Sequence, residues 1–452
     1  MRIALLSPAG AMHRYTGNFK KSLHYAPLTL TLLAALIPDG LDAEVEVYDE
    51  TVEDIPKDLD VDLIGITVIT GTSVRSYKWA QYYRSKGVTV VLGGVHPTLL
   101  PGEAGQYADA VVVGHAEKSW PRLLKDFQTG KLKKIYRPTD QLSLKEQPTP
   151  SRNLLDKSKF ITANSIEATR GCYNECSFCA VSATFGQQHH KRPVRQVIEE
   201  IEQLPGKVVL FVDVNLTADR EYARELFREM APLNKWWFGL TTVDIINDDQ
   251  LFELMVESGC KGLLIGFESV SQYSLGNINK LHNQNIDYKE LMKKIHSAGI
   301  LVNGTFCLGM DTDDKSTFEK TVESIIDLKI DLPRFSIVTP FPNTPLYRNF
   351  KDEGRIIEKN WAMYDVQHCV FQPKNMSPEE LEEGLIWTWE KTYSLPSITK
   401  RVSRFHKLIP INLMTNFGYR FYGKKLREFP REVMVDNSDI PGDEIPLSSL
   451  RK

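Results

Sequence analysis

The sequence predicts an α/β protein in three parts. An N-terminal doubly wound parallel sheet comes first, then a partial parallel barrel of six βα units, then a mainly helical C-terminal extension. Three observations predict it. Short Val- and Ile-rich runs alternate with helix-length segments over the first 125 residues, and again after residue 160. A charged stretch marked by Pro148 and Pro150 separates the two series. Near residue 345 the strand pattern stops and helical patterning takes over.

Element by element, the first series opens with RIALLS (2–7) and continues with AEVEVYD (43–49), DLIGITVI (62–69), VTVVLGG (88–94) and ADAVVVG (108–114). LTLTLLAALI (28–37) and SVRSYKWAQYYRSKG (73–87) carry helical patterning between them. Apolar strands separated by helices imply a parallel sheet covered on both faces, of the flavodoxin-like or Rossmann-like kind, whose ligands bind beyond the carboxyl ends of the strands. Residues 131–160 read as a linker. The second series runs NSIEATRG (164–171), KVVLFVD (207–213), WWFGLTT (236–242), KGLLIGFE (261–268), ILVNGTFCLG (300–309) and PRFSIVTP (333–340), with helices such as 194–204 and 248–259 between them. Six such units make a TIM-like barrel shorter than the eight-unit form, with its active site at the carboxyl ends of the strands. The expected domains are 1–130, 161–345 and 346–452, joined by the linker at 131–160. In the last of them, 376–395 reads as a helix capped by Ser377.

Bulk properties exclude several classes. The chain has 452 residues, 42% hydrophobic and 25% charged, with net charge −3, so no whole-protein field points to nucleic acid. No run approaches the length of a membrane-spanning helix, and MRIALLSPAG reads as a first strand instead of a signal peptide. Six cysteines in so long a chain, three of them clustered, are not a secreted disulfide framework, and a reducing cytoplasmic compartment is expected.

The cluster is ATRGCYNECSFCAV (168–181), which places Cys172, Cys176 and Cys179 in C-x3-C-x2-C spacing directly after the first barrel strand. Structural zinc wants four ligands, usually as two paired knuckles, and here Cys260, Cys307 and Cys369 are isolated. A bacterial ferredoxin wants C-x2-C-x2-C with a fourth cysteine close by. Three thiolates on an iron–sulfur cube would leave one iron open for a ligand. On these residues, with Phe178 before the last cysteine, the sequence resembles the radical S-adenosylmethionine (SAM) superfamily. The resemblance implies a [4Fe–4S] cluster on the three cysteines, with the amino and carboxylate groups of SAM on the fourth iron. It also implies reductive cleavage of SAM to a 5′-deoxyadenosyl radical, with an electron donor such as flavodoxin or ferredoxin as partner. Further positions follow from it: Asp213 and Asn215 in FVDVNLTAD (211–219) toward the methionine moiety, Glu268 and Ser269 in IGFES (265–269) toward the ribose or amino-acid end, and Gly304 in NGTFCLGMD (303–311) near the adenine.

A doubly wound domain ahead of such a barrel resembles the cobalamin-domain branch of that superfamily, a class that includes methyltransferases. The resemblance covers about residues 1–345, and the tail is similar to extensions seen in that branch. It implies a corrin received by strand-end loops: Thr67 and Thr70 in GITVITGTS (65–73), and Gly93 and Gly94 in LGGVHP (92–97). The D-x-H-x-x-G motif that supplies a cobalt-ligating histidine is incomplete, because SPAGAMHRYTGNF (7–19) offers His13 without the aspartate. His96 and His115 also lie on loops, and YDVQHCVF (364–371) groups Asp365, His368 and Cys369 as a conceivable proton or hydrogen-atom donor.

The expected activity is therefore cobalamin-dependent methylation of an unactivated carbon, on a catalytic residue set that the sequence leaves unnamed. The alternatives are a cobalamin-free radical rearrangement, cyclisation or C–C coupling, and, ranked last, an iron–sulfur electron carrier. The substrate is expected to be a small or lipid-like molecule. From Lys400 to Arg431 nine Lys or Arg face one acidic residue, Glu428, with aromatic and aliphatic residues interleaved, so a peripheral membrane contact through 400–431 stands beside the plainer reading of a solvated basic face.

Overall fold

A computed structural model describes residues 1–10, 25–402, 408–428 and 435–450. Its first sheet is six-stranded and wholly parallel: β1 (Arg2–Ser7), β2 (Glu44–Asp49), β3 (Leu63–Thr67), β4 (Thr89–Gly93), β5 (Ala110–Val112) and β6 (Ile135–Tyr136), in the spatial order 2-1-3-4-5-6. The strand pattern of the sequence follows from burial on both faces. Ala4 and Leu6 pack with Ile64, Ile66 and Leu92 in one core, while Ile3 and Leu5 pack with Leu63 and Val91 in the other. The order reverses between β1 and β3, which opens a crevice at their carboxyl ends. The segment read as a linker differs from expectation: β6 lies inside it and finishes the sheet against β5, with backbone bonds Val111 N–H to Lys134 O and Val113 N–H to Tyr136 O, both 2.9 Å. Two residues of strand are too short to carry a period-2 signal.

The second sheet is also six-stranded and parallel: β7 (Ser165–Ile166), β10 (Val208–Phe211), β11 (Trp236–Thr241), β12 (Cys260–Glu268), β13 (Leu301–Leu308) and β14 (Arg334–Ile337), each paired with the next. Its curved core joins strands, outer helices and the C-terminal extension: Phe211, Trp237, Phe267 and Phe306 meet Phe318, Leu381 and Trp389. Each such large side chain removed from water stabilises the fold by roughly 1.5–3 kcal/mol. The run read as a single strand at 164–171 is broken. After β7 the chain turns out to form β8 (Thr169–Gly171), which pairs antiparallel with β9 (His189–Lys191) and clasps the cysteine loop between them.

The extension holds the helix Pro378–Thr392, where Ser377 and Glu380 form a reciprocal capping box, and the helices Leu395–Arg401 and Ile409–Lys425. Residues 435–450 return to the first domain, where Arg75 bonds Asp439 at 2.7 Å and Lys78 pairs with Glu444. Among the described residues no helix is long and apolar enough to cross a membrane.

Candidate active site

The carboxyl ends of the two sheets face each other. The ring of His115, after β5, stacks on Phe185 just beyond the cysteine loop at 4.7 Å. Arg170 pairs with Glu117 at 2.5 Å, and Asn343, after β14, donates to the Leu99 carbonyl at 2.5 Å. Between these contacts apolar side chains stay exposed on strand-end loops: Ile69 (59%), Tyr173 (52%) and Val214 (41%). Apolar groups on strand-end loops suit the reception of an apolar ligand.

Cys172, Cys176 and Cys179 are free thiols on the loop after β8. Burial pushes the Cys176 thiol up to about 12 and also raises that of Cys179, with the other thiols of the loop adding to the effect on each. Among the described residues no three His, Cys, Asp or Glu side chains converge on one metal-ion position. That observation excludes a ready mononuclear site and not a cube, because a cube spreads its three ligands over three separate iron corners. The donor set, three thiols that a cationic centre would ionise, fits an iron–sulfur cluster with one open iron.

Beside the thiols stands a group the sequence only half revealed. Glu268, 8% exposed, sits at φ +60 past a register shift in β12, a conformation that a non-glycine residue rarely adopts without a local reason. The shift turns its carboxylate over Gly266 into an ion pair with Lys280, which is 7% exposed. A Cβ on Gly266 would run into both charged groups, so this glycine makes the room for them. Cys307 on β13 donates to the other Glu268 oxygen at 3.3 Å and meets Ser336 Oγ at 3.2 Å. Burial works against the Lys280 ammonium, yet Glu268 outweighs it and the lysine stays charged. The segment that carries Lys280 is bonded to the cysteine loop, Ser177 N–H to the Ile278 carbonyl and Asn279 Nδ2 to the Glu175 carbonyl, both at 3.0 Å, which sets the pair beside the thiols. A buried carboxylate and a buried ammonium at this spot complement the α-amino and α-carboxylate groups of SAM. Lys280 escaped sequence reasoning because no local period marks it. Cys307 carried a signal, the alternation Asn303, Thr305, Cys307 on the half-exposed face of β13.

Several expected site residues do other work. Asp213, 1% exposed, accepts from Ala168 N–H (3.1 Å), Thr169 N–H and Thr169 Oγ1 (2.7 Å), so it props the turn between β7 and β8. Its burial pushes its carboxyl up to about 7 against these donors. At Gly304 a Cβ would approach Ile330 at 3.0 Å and Phe267 at 3.2 Å, so its bare backbone lets these layers pack closely. Thr70 is buried against His96, its Oγ1 3.3 Å from Nδ1, so it does not line an open loop. His96 is spent on Thr70 and on Glu103, 3.1 Å from Nε2, and is no loop ligand.

Asn215 accepts from Thr217 at 3.3 Å, and Ser269 Oγ accepts from Ser271 N–H at 3.0 Å as turn chemistry. Phe178 packs half-buried on the barrel core. Gly94, at φ +103, lets the turn after β4 close on Val68, whose backbone atoms a Cβ would approach within 2.9 Å, with Thr67 Oγ1 next to it at 3.1 Å. Gly93 would have only ordinary contact with Val112. His13 lies outside the described residues. Burial lowers the imidazole of His115 to about 4. Asp365 and His368 form a pair (Oδ2 to Nδ1, 3.0 Å), but Cys369 turns its thiol to the Phe371 carbonyl at 3.1 Å.

Comparison with known proteins decides the family. The radical SAM superfamily model matches residues 166–325, and the B12-binding-domain model matches residues 22–124. The bacteriochlorophyllide d C-12(1)-methyltransferase of Chlorobaculum tepidum is 31% identical over 83% of this chain and 84% of its own. The chain belongs to the cobalamin-domain branch of the radical SAM superfamily. The hopanoid C-2 methylase of Rhodopseudomonas palustris is 25% identical over 76% of this radical SAM enzyme and 70% of its own chain. Its fold is that of the radical SAM methyltransferase TsrM from Kitasatospora setae, solved with cobalamin and a [4Fe–4S] cluster, at TM-score 0.66, 16% identity and coverage of 94% of this chain and 99% of that one. The [4Fe–4S] cluster, SAM and cobalamin are the cofactors of this radical SAM enzyme.

Proposed function

We propose that this radical SAM enzyme methylates an unactivated carbon of a small, largely apolar molecule, with cobalamin held between the two facing sheets. The observation that carries the reading is the Glu268–Lys280 pair beside the cysteine loop, in a chain that also carries a B12-binding domain. The cofactors together supply a hydrogen-abstracting radical and a methyl donor. The protein binds and orients. Cys172, Cys176 and Cys179 hold the cluster, Lys280 takes the SAM carboxylate, and Glu268 takes its ammonium. Ile69 and Val214 give the apolar walls that exclude water. Relatives named for a bacteriochlorophyllide and a hopanoid support an apolar, lipid-like substrate. A one-electron donor of the flavodoxin or ferredoxin class serves the cluster, and the chain makes a peripheral membrane contact through 400–431. The working units are 1–130, 161–345 and 346–452, with 131–160 joining the first two and lending β6 to the first.

The test is anaerobic reconstitution of the cluster followed by hydroxocobalamin loading and gel filtration. About one equivalent of retained cobalamin, with 5′-deoxyadenosine and S-adenosylhomocysteine formed together once substrate is added, is the expected result. Cys172→Ala loses both products. SAM cleavage without retained cobalamin would replace methylation by a rearrangement, cyclisation or coupling, and no cleavage at all would leave an electron carrier.

A further inference from the structure

The helix Ile409–Lys425 turns polar groups inward in its first half and apolar groups outward. Asn412 and Asn416 are fully buried, and in its second half Tyr419 and Tyr422 pack on Trp389 of the core. Asn412 Nδ2 donates to Asp331 Oδ1 at 3.0 Å, and Asn416 Nδ2 to the Asp331 carbonyl at 3.1 Å. Arg401, also fully buried, donates to the Ile330 and Asp331 carbonyls and to Asn416 Oδ1 at 2.8–2.9 Å. The reading of 400–431 as one solvated basic face is therefore wrong for Arg401, and Arg427 is spent on Glu383 and Glu390. The outward face is apolar: Ile411 (43% exposed), Leu413 (36%), Met414 (70%), Phe417 (52%) and Phe421 (38%), with Met414, Phe417 and Phe421 three and four residues apart along one stripe. A helix of a water-surrounded protein shows the reverse arrangement.

We infer that this outward face is a docking surface for an anionic lipid bilayer. The argument for that occupant is charge. Between Ile409 and Lys425 there is no acidic residue, and Lys424, exposed, and Lys425, within 3.3 Å of Glu428, close the apolar stripe at its C-terminal end, while Arg420 is held on the Tyr393 carbonyl at 2.8 Å. An apolar face with phenylalanines in it, ended by lysines and free of acidic residues, is the pattern that lies in the headgroup boundary of anionic membranes. Burying Asn412 and Asn416 is what frees the apolar residues to point out. The inference deepens the membrane-contact reading of 400–431 and rests on it for the setting. It also adds a direction. Asp331 lies just before β14, and its Oδ2 accepts from Val302 N–H at the start of β13, so the helix covers the amino ends of these strands, opposite the Glu268–Lys280 mouth. The bilayer holds the enzyme by its far end, and the substrate reaches the mouth from the water side.

The experiment is flotation of the reconstituted full chain with phosphatidylcholine vesicles, plain or mixed with phosphatidylglycerol, and sizing by light scattering in their absence. The expected result is binding to the phosphatidylglycerol vesicles alone, weakened by salt. Binding falls tenfold or more in the double variant Met414→Glu, Phe417→Glu and roughly fivefold in Lys424→Gln. 5′-Deoxyadenosine formation without vesicles stays unchanged in all of them, because the substituted residues are exposed and far from the thiols. No binding of the wild-type chain to anionic vesicles overturns the inference. So does a wild-type dimer that the double variant splits while vesicles bind neither form, since a second copy then covers the face. Vesicle binding in a chain that fails to cleave SAM would leave this inference standing and sink the proposed reaction.

Discussion

At the carboxyl end of the first sheet, Glu103 gathers donors: Tyr77 OH at 2.9 Å, His96 Nε2 at 3.1 Å and, from the C-terminal extension, Trp361 Nε1 at 3.0 Å. At the carboxyl end of the second, Glu268 keeps one cation and one thiol, on a backbone turned to positive φ. Both are buried carboxylates beyond parallel strands. The first is surrounded by rings and holds two parts of the molecule together. The second holds charge beside three free thiols, at a local cost in backbone conformation, and is arranged to exchange its protein partner for a ligand. A buried polar group that ties elements together stabilises, whereas one kept in strain beside reactive thiols marks chemistry.

Four measurements can break or sharpen this contrast. The largest effect belongs to the second sheet: Lys280→Met should weaken SAM binding in equilibrium dialysis about tenfold to a hundredfold, the worth of a charge-assisted bond. Because the variant strands Glu268 as a buried charge, the double variant Glu268→Gln, Lys280→Met should fold better and bind no more tightly. If SAM binding were untouched in both, the pair would be structural, like Glu103.

Next comes Asp213. Its carboxyl is raised from 3.8 to about 7 by burial. Between those values the unfolded chain has released the proton that the folded chain still holds. Folding then takes up a proton, and stability falls as pH rises from about 4 to about 7 and levels off above. Urea titrations across that window should show a loss of a few kcal/mol, and the Asp213→Asn chain should lack that component of the slope.

Glu103→Gln should cost about 1–3 kcal/mol by turning one acceptor into a donor against Tyr77, His96 or Trp361, while cobalamin retention and SAM binding persist. A loss of SAM binding at unchanged stability would reverse the assignment. The smallest effect is Gly304→Ala, about 1–3 kcal/mol of overpacking against Ile330 and Phe267, with SAM binding unchanged. Weaker SAM binding without lost stability would return Gly304 to the cofactor site.

What the sequence determined by itself is whatever depends on neighbours in the chain. Apolar runs such as Ile3–Leu6 announce strands buried on both faces, because each residue of the run meets a core. The C-x3-C-x2-C spacing identifies a cluster loop because three ligands on one loop need no folding to be counted together. The capping box at Ser377 and Glu380 is equally local. Glu268 was legible as the last residue of a strand, since strand ends are where parallel barrels place their sites. Tertiary structure decided the rest. Lys280 meets Glu268 only because a turn of backbone, a register shift and a missing side chain at Gly266 bring two loops together. The close packing at Gly304 was not legible, because a glycine in a strand carries no side chain to betray which face it takes, and the neighbouring layers settled that face. The two ends of the barrel show the same division. Composition marked 400–431 as basic and apolar, but which residues turned inward depended on Asp331, some eighty residues earlier in the chain, whose backbone and side chain demanded Asn412 and Asn416 as partners. Buried polar groups must be paired wherever their partners lie in sequence, and that requirement acts through space, where the periodicity of a single helix cannot show it.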